Sequence, residues 1–118
     1  MPLLQHLHLH VRDRPRAEAF YADWFGLRVE RRAGALSFLR DANDFLLVLM
    51  DDPAPAPLPD WFHFGFAQPS PDAVAALHDR MAAAGVPIVR PLARSDAITA
   101  FRCADADGWT IEVYWLPG

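Results

Sequence analysis

The segment QHLHLHV places His6, His8 and His10 at every second position, so three of the chain's five histidines fall in one row. A β-strand alternates its side chains between two faces. The three imidazoles therefore share one face, and Leu7, Leu9 and Val11 take the other. Such a row is open to three readings: a metal site, the polar wall of a cavity, or a tolerated strand edge. Two neighbouring imidazoles on one face, about 7 Å apart at Cα, can also chelate a metal between them. The same parity recurs further on. WFHFGF sets His63 and Gly65 against Phe62, Phe64 and Phe66, and WTIEVYW sets Thr110, Glu112 and Tyr114 against Trp109, Ile111, Val113 and Trp115. If each apolar face packs beneath a helix, the polar groups opposite, His6, His63 and Glu112, need partners. A divalent metal would satisfy all three, because two imidazoles and one carboxylate form a facial ligand set with positions left open for substrate, O₂ or water.

These residues must be positioned by the elements around them. Residues 3–11 read as a strand. DRPRAEAFYADWFG, residues 13–26, reads as a helix with Asp13 as N-cap, Pro15 in the first turn and Gly26 as the stop. Its apolar positions Phe20, Trp24 and Leu27 follow helical spacing. LRVERR, ALSFLR and DFLLVLM follow as strands. Pro53, Pro55, Pro57 and Pro59 then make DDPAPAPLPD a stiff, extended linker. After it the order restarts: the strand WFHFGFA, a helix capped by Ser70 and Pro71 with Val74, Leu77 and Met81 on one face and Gly85 as stop, and the strands VPIVRP, AITAFRC and WTIEVYW. DANDFLLVLM (41–50) matches DADGWTIEVY (105–114) position by position, and His6 matches His63. The expectation is an α+β fold of two tandem βαβββ modules in a single domain, with module one at 1–52, the linker at 53–60 and module two at 61–118. In this alignment Val48 stands where Glu112 stands in the second module, and its same-face neighbours Leu46 and Met50 are apolar. That predicts an asymmetric pocket with a metal at one wall and apolar surface at the other.

Composition narrows the function classes. At 118 residues, 53% hydrophobic and 22% charged, the chain can fold around a core of its own. A net charge of −4 argues against nucleic-acid and anionic-membrane partners. All 11 basic residues are arginine, which excludes a Schiff-base or P-loop lysine. The single Cys103 excludes an internal disulfide and a CxxC site, and is expected to be a buried, inert thiol. His78, beside Asp79, is expected on the solvated surface. MPLLQHLHLHV lacks the basic and apolar regions of a signal peptide, and no run approaches a membrane span, so a cytoplasmic location is expected.

In their order and spacing, HLHLHVRDRPRAEAFYADWFGL, WFHFGF and DADGWTIEVYW resemble the vicinal oxygen chelate superfamily, which includes glyoxalase I, extradiol dioxygenases, fosfomycin-modifying thiol transferases and bleomycin-binding proteins. The resemblance covers nearly the whole chain. It implies curved mixed sheets around a pocket, and a homodimer acting on a small molecule. The family's first-strand ligand lies seven positions before an Asp, which selects His6 before Asp13; the resemblance assigns the other two ligands to His63 and Glu112. The cofactor implied is a divalent metal ion such as Zn, Mn, Fe or Ni. The sequence also departs from the pattern. Val48 stands where glyoxalase I would carry a fourth ligand, Arg102 where ring-cleaving dioxygenases carry an acid–base Tyr, and Ala106 where the DPDG-like turn has Pro.

With His6 on the metal, His8 is expected to line the pocket or carry a proton, His10 to be a polar wall residue, and Tyr114 to act as an acid or hydrogen-bond donor. Arg94 and Arg102 are candidates for binding a substrate carboxylate or phosphate through the guanidinium fork, with exposed salt bridges as the structural alternative. The expected function is a divalent-metal-dependent small-molecule enzyme of glyoxalase or dioxygenase type, the metal chelating substrate oxygens and stabilising an oxyanion. Isomerase or lyase chemistry, oxygen insertion and thiol transfer all remain open. The alternatives are a bleomycin-resistance-like protein that sequesters a small molecule without catalysis, and an interaction module with a fossil pocket.

Overall fold

The computed structural model describes residues 1–118, which form two compact units, Met1–Pro57 and Leu58–Gly118. The first contains β1 (His6–Val11), α1 (Arg14–Phe25), β2 (Arg28–Ala33), β3 (Leu36–Arg40) and β4 (Leu46–Asp51). The second contains β5 (Phe64–Ala67), α2 (Pro71–Ala83), β6 (Ile88–Arg94), β7 (Thr99–Ala104) and β8 (Thr110–Trp115). The expected βαβββ order is present twice. Each unit has one four-stranded mixed sheet, ordered β1-β4-β3-β2 and β5-β8-β7-β6. The first strand of each pairs in parallel with the last, and the other pairings are antiparallel. The strands start one to three residues later than the sequence suggests, and the two largest shifts bear on the site. β1 begins at His6 rather than Leu3, and β5 begins at Phe64, which leaves His63 just outside it.

Both helices start where a side chain can cap them. Asp13 Oδ1 accepts from the Arg16 N–H at 3.1 Å, and Ser70 Oγ from the Ala73 N–H at 3.1 Å. α1 ends at Gly26, whose φ of 70° is the left-handed conformation that suits a residue without Cβ. On α2 the buried residues are Val74, Leu77 and Met81, as helical spacing predicts. On α1 the pattern misleads: Phe20 and Trp24 are only half-buried, while Ala17, Glu18 and Tyr21 face inward. The cause is a polar match. Ser37 of β3 is fully buried, and its hydroxyl donates to Glu18. Arg32 of β2 grips the same carboxylate through Nε at 3.1 Å and Nη2 at 2.8 Å. A carboxylate satisfied by three donors can be buried, so α1 presents Glu18 rather than Trp24 to the sheet.

The internal repeat extends to individual hydrogen bonds. Asp41 Oδ1 accepts from the N–H groups of Asn43 and Phe45, both at 2.8 Å. Asp105 Oδ1 accepts from those of Asp107 and Trp109 at 3.0 and 2.9 Å. In the left-handed position of this turn the first unit has Asp44 (φ 65°) and the second has Gly108 (φ 86°). Asp tolerates that conformation better than most side chains, which is how both sequences close the same turn.

The Glu18 carboxyl is held below the usual carboxylate range, chiefly by its hydrogen bonds from Arg32, with burial opposing and Ser37 assisting. Its stabilising contribution is therefore complete above the unfolded-state pKa of about 4.3 and is lost as pH falls through the depressed folded value. Glu18→Gln, which keeps the volume and removes the charge, should cost about 1–2 kcal/mol near neutrality. Thermal melts of the two proteins should converge on acidification. A gap that stays constant from neutral to acid pH would show that the charge contributes nothing.

Candidate functional site

In each unit the sheet face turned away from the helix carries the candidate residues. In the first, His6, His8 and His10 lie beside Leu46, Val48 and Met50 of β4, and beyond these are Arg40, Phe38 and Leu36 of β3. Burial follows parity: His6 and His8 are exposed, whereas Leu9 and Val11 are buried on the opposite face. Arg31 lies over the Phe38 ring, 4.6 Å from its centroid. The His8 and His10 rings meet edge to face at 5.1 Å. His10 Nδ1 lies 2.9 Å from Asp52 Oδ2. The Asp52 carboxyl is held below its ordinary range, first by the Ala54 N–H and then by His10. His10 is thus tied to Asp52, the last residue before the linker, rather than presented to a ligand.

The second unit concentrates charge. Glu112 of β8 has Gly65 of β5 on one side and Arg102 of β7 on the other, and Arg90 of β6 is registered opposite Arg102. His63 approaches from the segment before β5. Its Nε2 lies 3.7 Å from Glu112 Oε2, and its Nδ1 lies 3.0 Å from the Trp61 carbonyl oxygen. A carbonyl can only accept, so Nδ1 carries a proton, and in the neutral ring the Nε2 lone pair faces Glu112. Arg102 reaches both groups, with Nε 3.4 Å from Glu112 Oε1 and Nη2 3.4 Å from His63 Nε2. All three side chains are partly shielded from water, at 33%, 22% and 17% exposure for His63, Glu112 and Arg102. Two donor atoms sharing one tetrahedral divalent metal with bonds of about 2.0–2.2 Å stand about 3.3–3.6 Å apart. The His63–Glu112 pair is slightly wider than that, and its imidazole is already oriented by a backbone acceptor, as metal-ligating histidines commonly are. His63 and Glu112 are thus two donors of the kind a divalent cation takes, and neither unit by itself gathers three His, Cys, Asp or Glu side chains around one point.

The remaining candidates fall into place around this cluster or away from it. Tyr114 shares the face of Glu112, and its ring leans over Gly65. Arg94 donates to Asp72 at 2.9 Å in an exposed ion pair. Cys103 is fully buried, and burial, with the Asp105 charge assisting, pushes its thiol up to about 12, consistent with an inert role. His78 differs from expectation. It pairs with Asp79 at 3.0 Å, but its ring also packs edge-on against the buried Phe101 at 5.1 Å, leaving the side chain 22% exposed. Parity placed Gly65 with His63 but could not have identified Arg90, which comes opposite Arg102 through register shifts in β6 that alternation does not show.

Gly65 matters for what it lacks. A Cβ there would lie 2.9 Å from Tyr114 Cε1 and 3.1 Å from the Glu112 carbonyl oxygen. Gly65→Ala should displace the Tyr114 ring and cost about 1–3 kcal/mol. In a double-mutant cycle with Tyr114→Ala, part of that cost should disappear. Strictly additive melting shifts would mean that the ring does not depend on the glycine.

The model of the Glyoxalase/Bleomycin resistance protein/Dioxygenase superfamily matches residues 3–113. An uncharacterized protein from Pseudomonas aeruginosa is 38% identical over 99 residues, covering 76% of this chain and 71% of its own. Among solved structures, one described as a "possible Glyoxalase" from Bacillus cereus shares 32% identity with a TM-score of 0.80, over 92% of this chain and 95% of that one. The genomically encoded fosfomycin resistance protein FosX from Listeria monocytogenes, complexed with Mn(II) and sulfate, has a TM-score of 0.85 at 18% identity, over 99% of this chain and 92% of that one, a likeness of fold. The repeated βαβββ order and a family match that spans nearly the whole chain agree: this protein belongs to the Glyoxalase/Bleomycin resistance protein/Dioxygenase superfamily.

Proposed function

We propose that this chain is a divalent-metal-dependent enzyme acting on a small oxygen-bearing substrate, in the manner of glyoxalases or dioxygenases. The observation that carries the reading is the His63–Glu112 pair, an oriented imidazole beside a partly exposed carboxylate on the open face of the second sheet. His6 is proposed as the third protein ligand on the sequence pattern. A metal bound there would polarise substrate oxygens and offset oxyanion charge. Around it, Tyr114 would donate a hydrogen bond, His8 would move a proton, and Arg102 would meet an anionic group of the substrate. Arg94 is the weaker substrate contact of the two arginines, because Asp72 already holds it. The Mn(II) in the Listeria relative makes a divalent ion a reasonable cofactor here. A homodimer in the cytoplasm is part of the same proposal; no helix is long and apolar enough to cross a membrane.

One observation favours a second reading, a binding protein that sequesters a small molecule without catalysis. Arg102 already supplies positive charge to Glu112 without any metal. Metal content of tag-free protein, metal titration and a substrate panel separate the two. The enzyme reading expects bound metal, loss of affinity by about tenfold or more in Glu112→Gln and His63→Ala, and turnover of a substrate. His8→Ala should keep metal affinity and lose about 10²-fold in turnover. Equal metal affinity in wild type and Glu112→Gln would sink the assignment, and metal binding without any turnover would favour sequestration.

Assembly is tested separately. Sedimentation should give a dimer at micromolar concentration, and a monomer that keeps full metal affinity would remove the dimer from the proposal.

A further inference from the structure

We propose that Arg102 occupies the cation position of the His63–Glu112 pair and must leave it before a divalent metal binds, so that this arginine sets the metal affinity of the site. The inference rests on the metal reading above and concerns a residue that is not a ligand. A guanidinium stays protonated at any physiological pH, so it cannot yield by losing its charge; it has to move. Its present contacts make it movable. Arg14, Arg40, Arg32 and Arg94 hold their carboxylates at 2.7, 2.7, 2.8 and 2.9 Å, the range of charge-assisted hydrogen bonds. Arg102 stands 3.4 Å from Glu112 and 3.4 Å from His63. One fork is stretched between a carboxylate oxygen and an imidazole nitrogen, and neither bond reaches its favoured length. One of those acceptors, His63 Nε2, is an atom of the 3.7 Å pair, and the other, Glu112 Oε1, belongs to the same carboxylate as the Oε2 that faces it.

The other contacts of the site point the same way. Arg90, registered opposite Arg102, adds like charge rather than an anchor. In the first unit the corresponding positions are Phe38 and Val48, neither of them charged. The arginine and the carboxylate therefore occur together in the unit that carries the ligand pair and are both absent from its counterpart. A dication and a guanidinium within a few ångströms of each other, both partly shielded from water, repel strongly. Occupancy is then an exchange of one cation for another, and the released guanidinium remains on the same face, able to meet an anionic group.

The test is Mn(II) binding to the full chain, followed by calorimetry or by the signal of free Mn(II), for wild type, Arg102→Gln and Arg102→Lys, each checked for folding by circular dichroism. Arg102→Gln should bind Mn(II) about tenfold or more tightly, the scale on which residues around a metal shift its affinity. Arg102→Lys keeps the charge and should stay close to wild type. Adding Glu112→Gln should cancel the gain. A second measurement needs no variant: in wild type, the Nε–H resonance of Arg102 should move as diamagnetic Zn(II) is added. Equal or weaker Mn(II) affinity in Arg102→Gln, or an Arg102 resonance unmoved at saturating Zn(II), would overturn this inference and leave the metal reading standing. No metal uptake by either wild type or Arg102→Gln would overturn both.

Discussion

A β-strand shows its side chains to two sides, and in each unit a helix takes one of them. Any group able to do chemistry has to come from the other side, and strand order decides which of these groups become neighbours. The parallel pairing of β5 with β8 puts Gly65 beside Glu112, and the antiparallel pairing of β8 with β7 puts Arg102 on the far side of Glu112. The crossover through α2 carries the chain from β5 to β6 at the far edge of the sheet, and the antiparallel succession β6, β7, β8 then brings β8 back beside β5. His63 gains its position from the same arrangement. It sits one residue before β5, where backbone not yet committed to the ladder can offer the Trp61 carbonyl to its Nδ1.

The two units show one scaffold tuned in two ways. Across the first sheet, His8, Val48, Phe38 and Arg31 are registered in a row. The equivalent row of the second is Gly65, Glu112, Arg102 and Arg90. On the helix-covered faces the polarity runs the other way: the first unit buries Ser37 against Glu18, and the second buries Phe101 against the edge of His78. The Glu18 carboxylate lies under the helix of the first unit, and the Glu112 carboxylate lies on the open face of the second. The turn hydrogen bonds of Asp41 and Asp105 are shared. What differs between the units is which face carries a carboxylate.

Much of this was legible in the sequence, for identifiable reasons. Caps depend on one side chain and the N–H groups next to it, so Asp13 and Ser70 declared both helix starts. Parity depends only on alternation, so the opposed faces of β1 and β8 were readable without knowing what would cover them. The family pattern rested on order and spacing, which the folded chain retains. The failures share a cause as well. Phe20 and Trp24 looked like the inner face of α1 because apolar spacing has no term for a carboxylate that finds three donors more than ten residues away. His78 looked like surface because Asp79 is next to it in sequence, while Phe101 is not. Arg102 was read as a candidate for substrate, and the structure gives it two partners within its own unit, contacts that depend on side-chain reach across a ladder.

Glu18 and Glu112 show what separates a structural carboxylate from one available to a ligand. Each pairs with an arginine on a strand, Glu18 of α1 with Arg32 of β2 and Glu112 of β8 with Arg102 of β7, and both are at least partly buried. Glu18 has Arg32 bonded to each of its oxygens at 2.8 and 3.1 Å, with Ser37 as a third donor. Little acceptor capacity is left, and a metal would have to break a set of bonds of near-ideal length. Glu112 has one donor at 3.4 Å on one oxygen, and on the other an imidazole nitrogen at 3.7 Å that, in the neutral ring protonated at Nδ1, offers a lone pair rather than a proton. Two electron-rich atoms aimed at each other are unfavourable unless something positive lies between or beside them. Arg102 meets that need only at the limit of its reach, because its fork has to serve the carboxylate and the imidazole together. The arrangement is thus held by a cation that fits it loosely, and a small divalent ion has the charge and the bond length to fit it better.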